Sequence, residues 1–248
     1  MTMGSAVAAL SLAACAAVDT TSAERFSATG EVIALSGAGA GAANACFTCH
    51  GLDGAGDGAG TPRLAGLDSG YLERQLNAYA DGRRDHLQMA WIAQRLGPTE
   101  RRAVASHYAG LPFAGTSRRA GPGGEQLYRR GDAVRGIPAC ASCHGGNGEG
   151  IGPANPPLAG QPALYIAGQL DAWRQSRRRN DPDGVMLAIS QRLSPAERAA
   201  VARYASALPG GPPRPESAEA LRSAHRAATR SDAPAPPRHV PEAARAAQ

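Results

Sequence analysis

The sequence predicts an all-α protein in which one small helical unit is written twice. Three observations predict this. The first is a repeat of fixed offset. Gly30-Glu31 recurs as Gly124-Glu125, Gly37 as Gly131, and Cys46, Cys49 and His50 as Cys140, Cys143 and His144. Pro62, Leu64, Ala65 and Gly66 recur as Pro156, Leu158, Ala159 and Gly160, and Tyr71, Gln75 and Leu76 as Tyr165, Gln169 and Leu170, every pair 94 residues apart. After a three-residue insertion near Asp181-Pro182-Asp183 the offset becomes 97, pairing Met89 with Met186, Arg95-Leu96 with Arg192-Leu193 and Leu111-Pro112 with Leu208-Pro209. A constant offset broken once marks duplication. The second observation is helical i, i+4 spacing of apolar and aromatic residues, with no β-α-β pattern. The third is a shortage of large side chains: three Phe, two Trp and six Tyr in 248 residues, against 31 Gly and 19 Pro. Two ordinary protein cores would be poorly supplied, so something other than protein is expected to fill the interior.

Taken in order, residues 1–22 read as a leader. Residues 4–18 are small and apolar, like the core of a secretory signal and too short to span a membrane. Leu12-Ala13-Ala14-Cys15 resembles a bacterial lipobox, in which the Cys becomes the lipidated first residue and tethers the protein to a membrane surface. The alternative is ordinary cleavage near Ala17, which discards Cys15. The first unit spans 23–115 and the second 116–210, joined near 113–122 by a Gly/Ser/Pro-rich stretch. Each should open with a helix, around 30–37 and 123–131, followed by a helical turn carrying the Cys pair. The next helix shows Tyr71, Leu72, Gln75, Leu76 and Tyr79, matched by Tyr165, Ile166, Gln169, Leu170 and Trp173. The last helix begins at Ser194, with Pro195 at the first turn and Glu197 completing a capping box. Gly97-Pro98-Thr99-Glu100 is a weaker version. Val104, Tyr108 and Leu111 then form one stripe, and Val201, Tyr204 and Leu208 its counterpart. Gly-rich loops follow each His. Residues 211–248, rich in Pro, Ala and Arg, lack the apolar area to offset ordering and are expected to be a disordered tail.

All 26 basic residues are Arg. Residues 24–115 carry 8 Arg and 9 acids, net −1; residues 116–210 carry 12 Arg and 7 acids, net +5. That asymmetry either orients the molecule on an acidic partner or is plain solvated surface. No window is apolar enough for a spanning helix, and no basic run alternates with aromatics as a nucleic-acid surface would.

The chemistry lies in Cys46-Phe47-Thr48-Cys49-His50 and Cys140-Ala141-Ser142-Cys143-His144. Both are C-x-x-C-H, the attachment pattern of c-type haem. Two thiols three residues apart on one helical turn reach two vinyl groups on one porphyrin edge, and the adjacent His places a nitrogen under the iron. A zinc site would want further Cys or His nearby, and a dithiol redox pair would sit in a β-α-β unit; neither context is present. Two macrocycles also account for the missing aromatic core.

His50 and His144 are therefore the proximal iron ligands. Of four Met, two lie in the leader; Met89 and Met186 follow their His by 39 and 42 residues at equivalent repeat positions. A thioether from each is favoured as the sixth ligand, which raises the reduction potential and leaves no axial vacancy. His86 is the competitor at the first haem, without a counterpart in the second unit. Pro62 and Pro156 each lie 12 residues after their His. Each has a carbonyl free to anchor the imidazole; the alternative is a plain loop proline. Arg83-Arg84 and Arg177-Arg178-Arg179 precede the Met segments, with Arg177 the candidate partner for a haem propionate and solvation the alternative.

These motifs resemble the class I cytochromes c, and more closely the di-haem cytochromes c4, over about residues 30–209. The resemblance rests on the two C-x-x-C-H motifs, Pro62 to Gly66 with Pro156 to Gly160, Tyr71 to Leu76 with Tyr165 to Leu170, and Arg177 to Asp181 ahead of Met186. It implies two all-α haem domains packed back to back, His50 and His144 donating to the Pro62 and Pro156 carbonyls, and iron ligated by Met89 and Met186. It also implies a periplasmic location and electron shuttling to a terminal oxidase. The first unit lacks the Asn-Asp pair, and the extension past 210 lies outside the family pattern. The expected function is a periplasmic di-haem electron carrier, monomeric, with two covalent haem c groups and redox proteins such as a membrane oxidase or dehydrogenase as partners. The alternatives are a cytochrome subunit of a larger dehydrogenase or oxidase complex, and a di-haem peroxidase.

Overall fold

The fold comes from a computed structural model that describes residues 29–113, 115 and 123–211, all within one compact unit. The leader with Cys15, most of the linker and all of the tail but residue 211 lie outside the described residues. Those described contain helices and short 3₁₀ turns and no strand. No single helix among them is long and apolar enough to cross a membrane.

The first repeat runs through α1 (Gly30–Ser36), α2 (Cys46–His50), α3 (Ser69–Ala80), α4 (Leu87–Gln94) and α5 (Pro98–Gly110). The second runs through α6 (Glu125–Arg130), α7 (Ala141–His144), α8 (Ala163–Arg174), α9 (Val185–Arg192) and α10 (Pro195–Ser206). In each, the first helix crosses the last. The crossing is tight because glycine starts it: a Cβ on Gly30 would sit 2.0 Å from the Ala103 carbonyl oxygen, and one on Gly124 2.5 Å from that of Ala200. The recurrence of Gly30 as Gly124 in the sequence thus reflects a close backbone approach.

Helix ends follow the expected chemistry. Ser194 accepts from Glu197 N while Glu197 accepts from Ser194 N at 2.8 Å, a complete capping box. At α5 only half of it exists: Glu100 accepts from Gly97 N at 2.7 Å, and glycine has no side chain to reciprocate. Met89 and Met186 lie inside helices, α4 and α9, to which the sequence pattern assigned no element. Both helices are short. They hold because Ile92 and Leu96, and Ile189 and Leu193, pack into the cores of their repeats.

The core of the first repeat gathers Ile33, Leu67, Leu72, Ile92, Leu96, Val104 and Tyr108; that of the second gathers Tyr128, Ile137, Ile166, Leu170, Leu193, Val201 and Tyr204. Cys46 and Met89 pack against the first, and Cys140 and Met186 against the second.

The repeats meet through polar side chains on a pseudo-twofold axis. Asp85 N donates to the Arg177 carbonyl and Arg179 N to the Arg83 carbonyl, each at 2.7 Å. These are equivalent bonds with the repeats exchanged, as an isologous contact requires. Behind them Arg84 donates to Gln75 at 2.9 Å and to Tyr165 and Gln169 at 2.7 Å. Arg178 donates to Gln169 at 2.8 Å, Gln75 at 3.0 Å and Tyr71 at 3.3 Å. Arg84 covers the Tyr79 ring and Arg178 the equivalent Trp173 ring.

Candidate haem sites

Each repeat encloses a cavity, of about 590 Å³ in the first and about 750 Å³ in the second. Both fall in the size range of cofactor pockets. The first is lined by Cys46, Cys49, His50, Pro62 and Met89, and the second by Cys140, Cys143, His144, Pro156 and Met186. The structure therefore brings each sequence-predicted set into one place. Each cavity is also closed from across the interface: Tyr165, Gln169 and Arg177 reach the first, and Tyr71, Gln75 and Arg83 the second.

The proximal histidines are fixed from behind. His50 Nδ1 lies 3.0 Å from the Pro62 carbonyl oxygen, and His144 Nδ1 2.8 Å from that of Pro156. A carbonyl only accepts, so Nδ1 carries the proton and Nε2 keeps its lone pair. Burial pushes both imidazoles below their ordinary pKa, which keeps them neutral and able to ligate. The turn presenting each carbonyl depends on a glycine. Gly56 N donates to the His50 carbonyl and Gly150 N to that of His144. Both have φ near +75°, and a Cβ on Gly56 would lie 2.9 Å from the Pro62 carbonyl oxygen, one on Gly150 2.8 Å from the Pro156 carbonyl carbon. The sequence reading treated these glycines as ordinary loop residues, although their own 94-residue offset was a usable signal.

Cys46 and Cys140 are half-buried and Cys49 and Cys143 exposed, so each pair runs from the cavity wall to the surface. Burial raises the Cys46 and Cys140 thiols to about 11. The described residues hold no group of three or more His, Cys, Asp or Glu that could bind a metal ion, which leaves a zinc reading without its other ligands.

His86 also lines the first cavity, but its Nδ1 accepts from Met89 N at 3.2 Å and so caps α4. Arg177 is exposed, donates to Gln175 at 3.0 Å, and faces the first cavity rather than its own. The cause is the exchange between 83–85 and 177–179, which carries Arg177 across the interface and buries Arg178 instead.

The walls fit a macrocycle bearing carboxylates. Arg63, Arg84 and Arg178 are all buried and have only neutral hydrogen-bond partners. A buried cation without an anion is costly, and burial alone pulls Arg63 down to about 10. Trp173 Nε1 lines the second cavity and Tyr108 Oη the first, both buried without a protein partner. Donors and cations of this kind suit haem propionates.

A cytochrome c family profile matches residues 36–107 and 124–208, one match per repeat. The chain belongs to the cytochrome c family. It is 45% identical over 183 residues to the thiosulfate dehydrogenase electron acceptor of Stutzerimonas stutzeri (strain A1501), covering 71% of this chain and 85% of that one. Among solved structures it resembles thiosulfate dehydrogenase (TsdBA) from Marichromatium purpuratum in the "as isolated" form (TM-score 0.64, 38% identity). That match covers 73% of this chain but only 40% of the longer one. It also resembles reduced recombinant cytochrome c4 from Pseudomonas stutzeri (TM-score 0.61, 32% identity), covering 66% of this chain and 93% of that one. This cytochrome is thus an electron-transfer protein of the cytochrome c4 type, with two covalently bound haem c groups at its two C-x-x-C-H motifs.

Proposed function

We propose that this cytochrome is the electron acceptor of a thiosulfate dehydrogenase and passes the electrons on, one at a time, to a further redox protein of the respiratory chain. The observation that carries this reading is the 45% identity, across both haem units, to a protein named for that role. It lies close to the expected alternative, a cytochrome subunit of a larger dehydrogenase or oxidase complex. His50 and Met89 would hold the iron of the first haem and His144 and Met186 that of the second, while the Pro62 and Pro156 carbonyls keep the imidazoles oriented. When bound, each haem supplies a one-electron iron couple, and a thioether opposite imidazole raises its potential. A His and a Met given to each iron would leave no position for peroxide, which favours a carrier over a peroxidase. Cys49 and Cys143, exposed at the surface, mark the edges where electrons enter and leave. The residues shared by the two cavities, Tyr71, Gln75, Tyr165 and Gln169, hold the haems at a fixed separation. The leader fits export to the periplasm; Cys15, outside the described residues, would add a lipid tether if it is kept.

Rapid mixing of the oxidised full chain with a thiosulfate dehydrogenase and thiosulfate tests the role. Both haems are expected to become reduced. If they stay oxidised under these conditions yet are reduced by ascorbate, the proposed donor is wrong. The likeness to cytochrome c4 favours a second reading, a general carrier between respiratory donors and a terminal oxidase. Reduction by those donors, and not by the dehydrogenase, would select it.

A further inference from the structure

We propose that the Arg63 guanidinium is a buried cation that acts on the first haem and not on the second, holding the first at a higher reduction potential than it would otherwise have. The inference rests on the assignment of one haem to each cavity.

Arg63 is 2% exposed, one of the largest fully buried side chains in the structure. It donates to the Ala65 carbonyl in its own repeat and, at 3.0 Å, to the Ala159 carbonyl in the other. Ala65 and Ala159 are repeat equivalents, so the guanidinium bridges the same turn of both halves. Its plane lies over the Phe113 ring at 3.7 Å, and Nε has no partner. Its backbone is clasped as well: Arg63 N donates to Gln161, and Gln161 Nε2 donates back to the Arg63 carbonyl. None of these partners is a carboxylate. Such a cation is expensive to bury, and hydrophobic replacements at sites of this kind are often neutral or stabilising. Folding alone therefore gives it little reason to exist.

The asymmetry decides what it does. Arg63 lines the first cavity, and its repeat equivalent, Pro157, lines the second and carries no charge. Of the other buried arginines, Arg84 and Arg178 are equivalents, each lining the cavity of its own repeat, and Arg198 lines neither cavity and is paired with Asp171 at 2.7 Å. Asp57, Arg74, Asp85 and Arg179 also differ between the halves but are exposed and so screened by solvent, while half-buried Asp181 lines the second cavity alone and adds a negative charge there, not a second cation. A fixed positive charge in a low-dielectric wall favours the less positive oxidation state of a nearby iron. Taking one electron is thus easier at the first haem with Arg63 present than without it.

The test uses the full haem-loaded chain and the variants Arg63→Met, Arg63→Gln and Arg63→Lys. Haem per chain is counted first. The two midpoint potentials are then measured by spectroelectrochemical titration, each assigned through its haem-methyl NMR signals. Removing the charge should lower the first potential and move the second by much less, whereas the lysine variant should stay near the parent. Equal shifts in both haems, no shift, or a lysine variant as displaced as the glutamine variant would overturn the proposal. So would a folding requirement for the cation, seen as loss of both neutral variants while the lysine variant folds. Fewer than two haems in the parent would instead overturn the haem assignment itself.

Discussion

At the scale of single residues, the site is governed by what stands behind each ligand. Cys, His and Met were legible because each has few other uses in this chain and each recurs at one offset. The supports were less legible. Gly56 and Gly150 carry no chemistry of their own, yet they leave room for the carbonyl that fixes each imidazole. Gly150→Ala should cost about 2 kcal/mol from the left-handed backbone alone, with more from the clash at Pro156. It should also broaden the spectrum of the second haem while leaving the first unchanged; denaturant unfolding with optical spectra checks both. Met186→Ala should remove roughly half of the far-red absorbance of the oxidised protein and lower one potential, because thioether ligation raises it. Arg177 shows what a residue-level reading leaves open: it offered a haem propionate as partner without saying which haem, and the backbone bonds between 83–85 and 177–179 carry Arg177 to the wall of the first cavity.

At the scale of elements, the terminal helix was readable to its cap and the Met helices were not. Ser194, Pro195 and Glu197 form a local code that needs no tertiary contact, so Ser194→Ala should cost about 1 kcal/mol in thermal or denaturant unfolding. α4 and α9 are eight residues each and exist through packing, which leaves little periodic signal. The α10 cap also carries a pH dependence. Glu197 accepts from Arg135 at 2.6 Å and from Ser194 N, which together hold its carboxyl down at about 2. A depressed carboxyl stabilises the fold above its ordinary unfolded pKa of 4.5. Its contribution is therefore full at neutral pH and fades as the pH falls from about 4.5 toward 2. Acid titration of helicity should show this loss, and Glu197→Gln should flatten that part of the curve.

At the scale of the molecule, the duplication was plain in the sequence, while the way its halves join was not. Tyr71, Gln75, Tyr165 and Gln169 read as parts of helical stripes, and a helical stripe alone does not say which neighbour it faces. The buried glutamines were the available clue, since an amide on an apolar stripe needs partners. Gln75 Oε1 accepts from Arg84, Arg178 and Asn180 at once. Gln75→Ala should cost about 3 kcal/mol by leaving charged donors unsatisfied. It should also separate the unfolding of the two haem units, which calorimetry would show as a split transition. Because each cavity borrows its wall from the other half, loosening this interface should shift both haem spectra rather than one.

The central claim is that each half of the molecule holds an iron porphyrin between an imidazole and a thioether. It is tested most directly by measuring far-red thioether-to-iron absorbance on the oxidised full chain and dividing by haem counted as the pyridine haemochrome. The account predicts two haems per chain and a full thioether band for each. A single haem, or a band of half strength with two haems present, would contradict it.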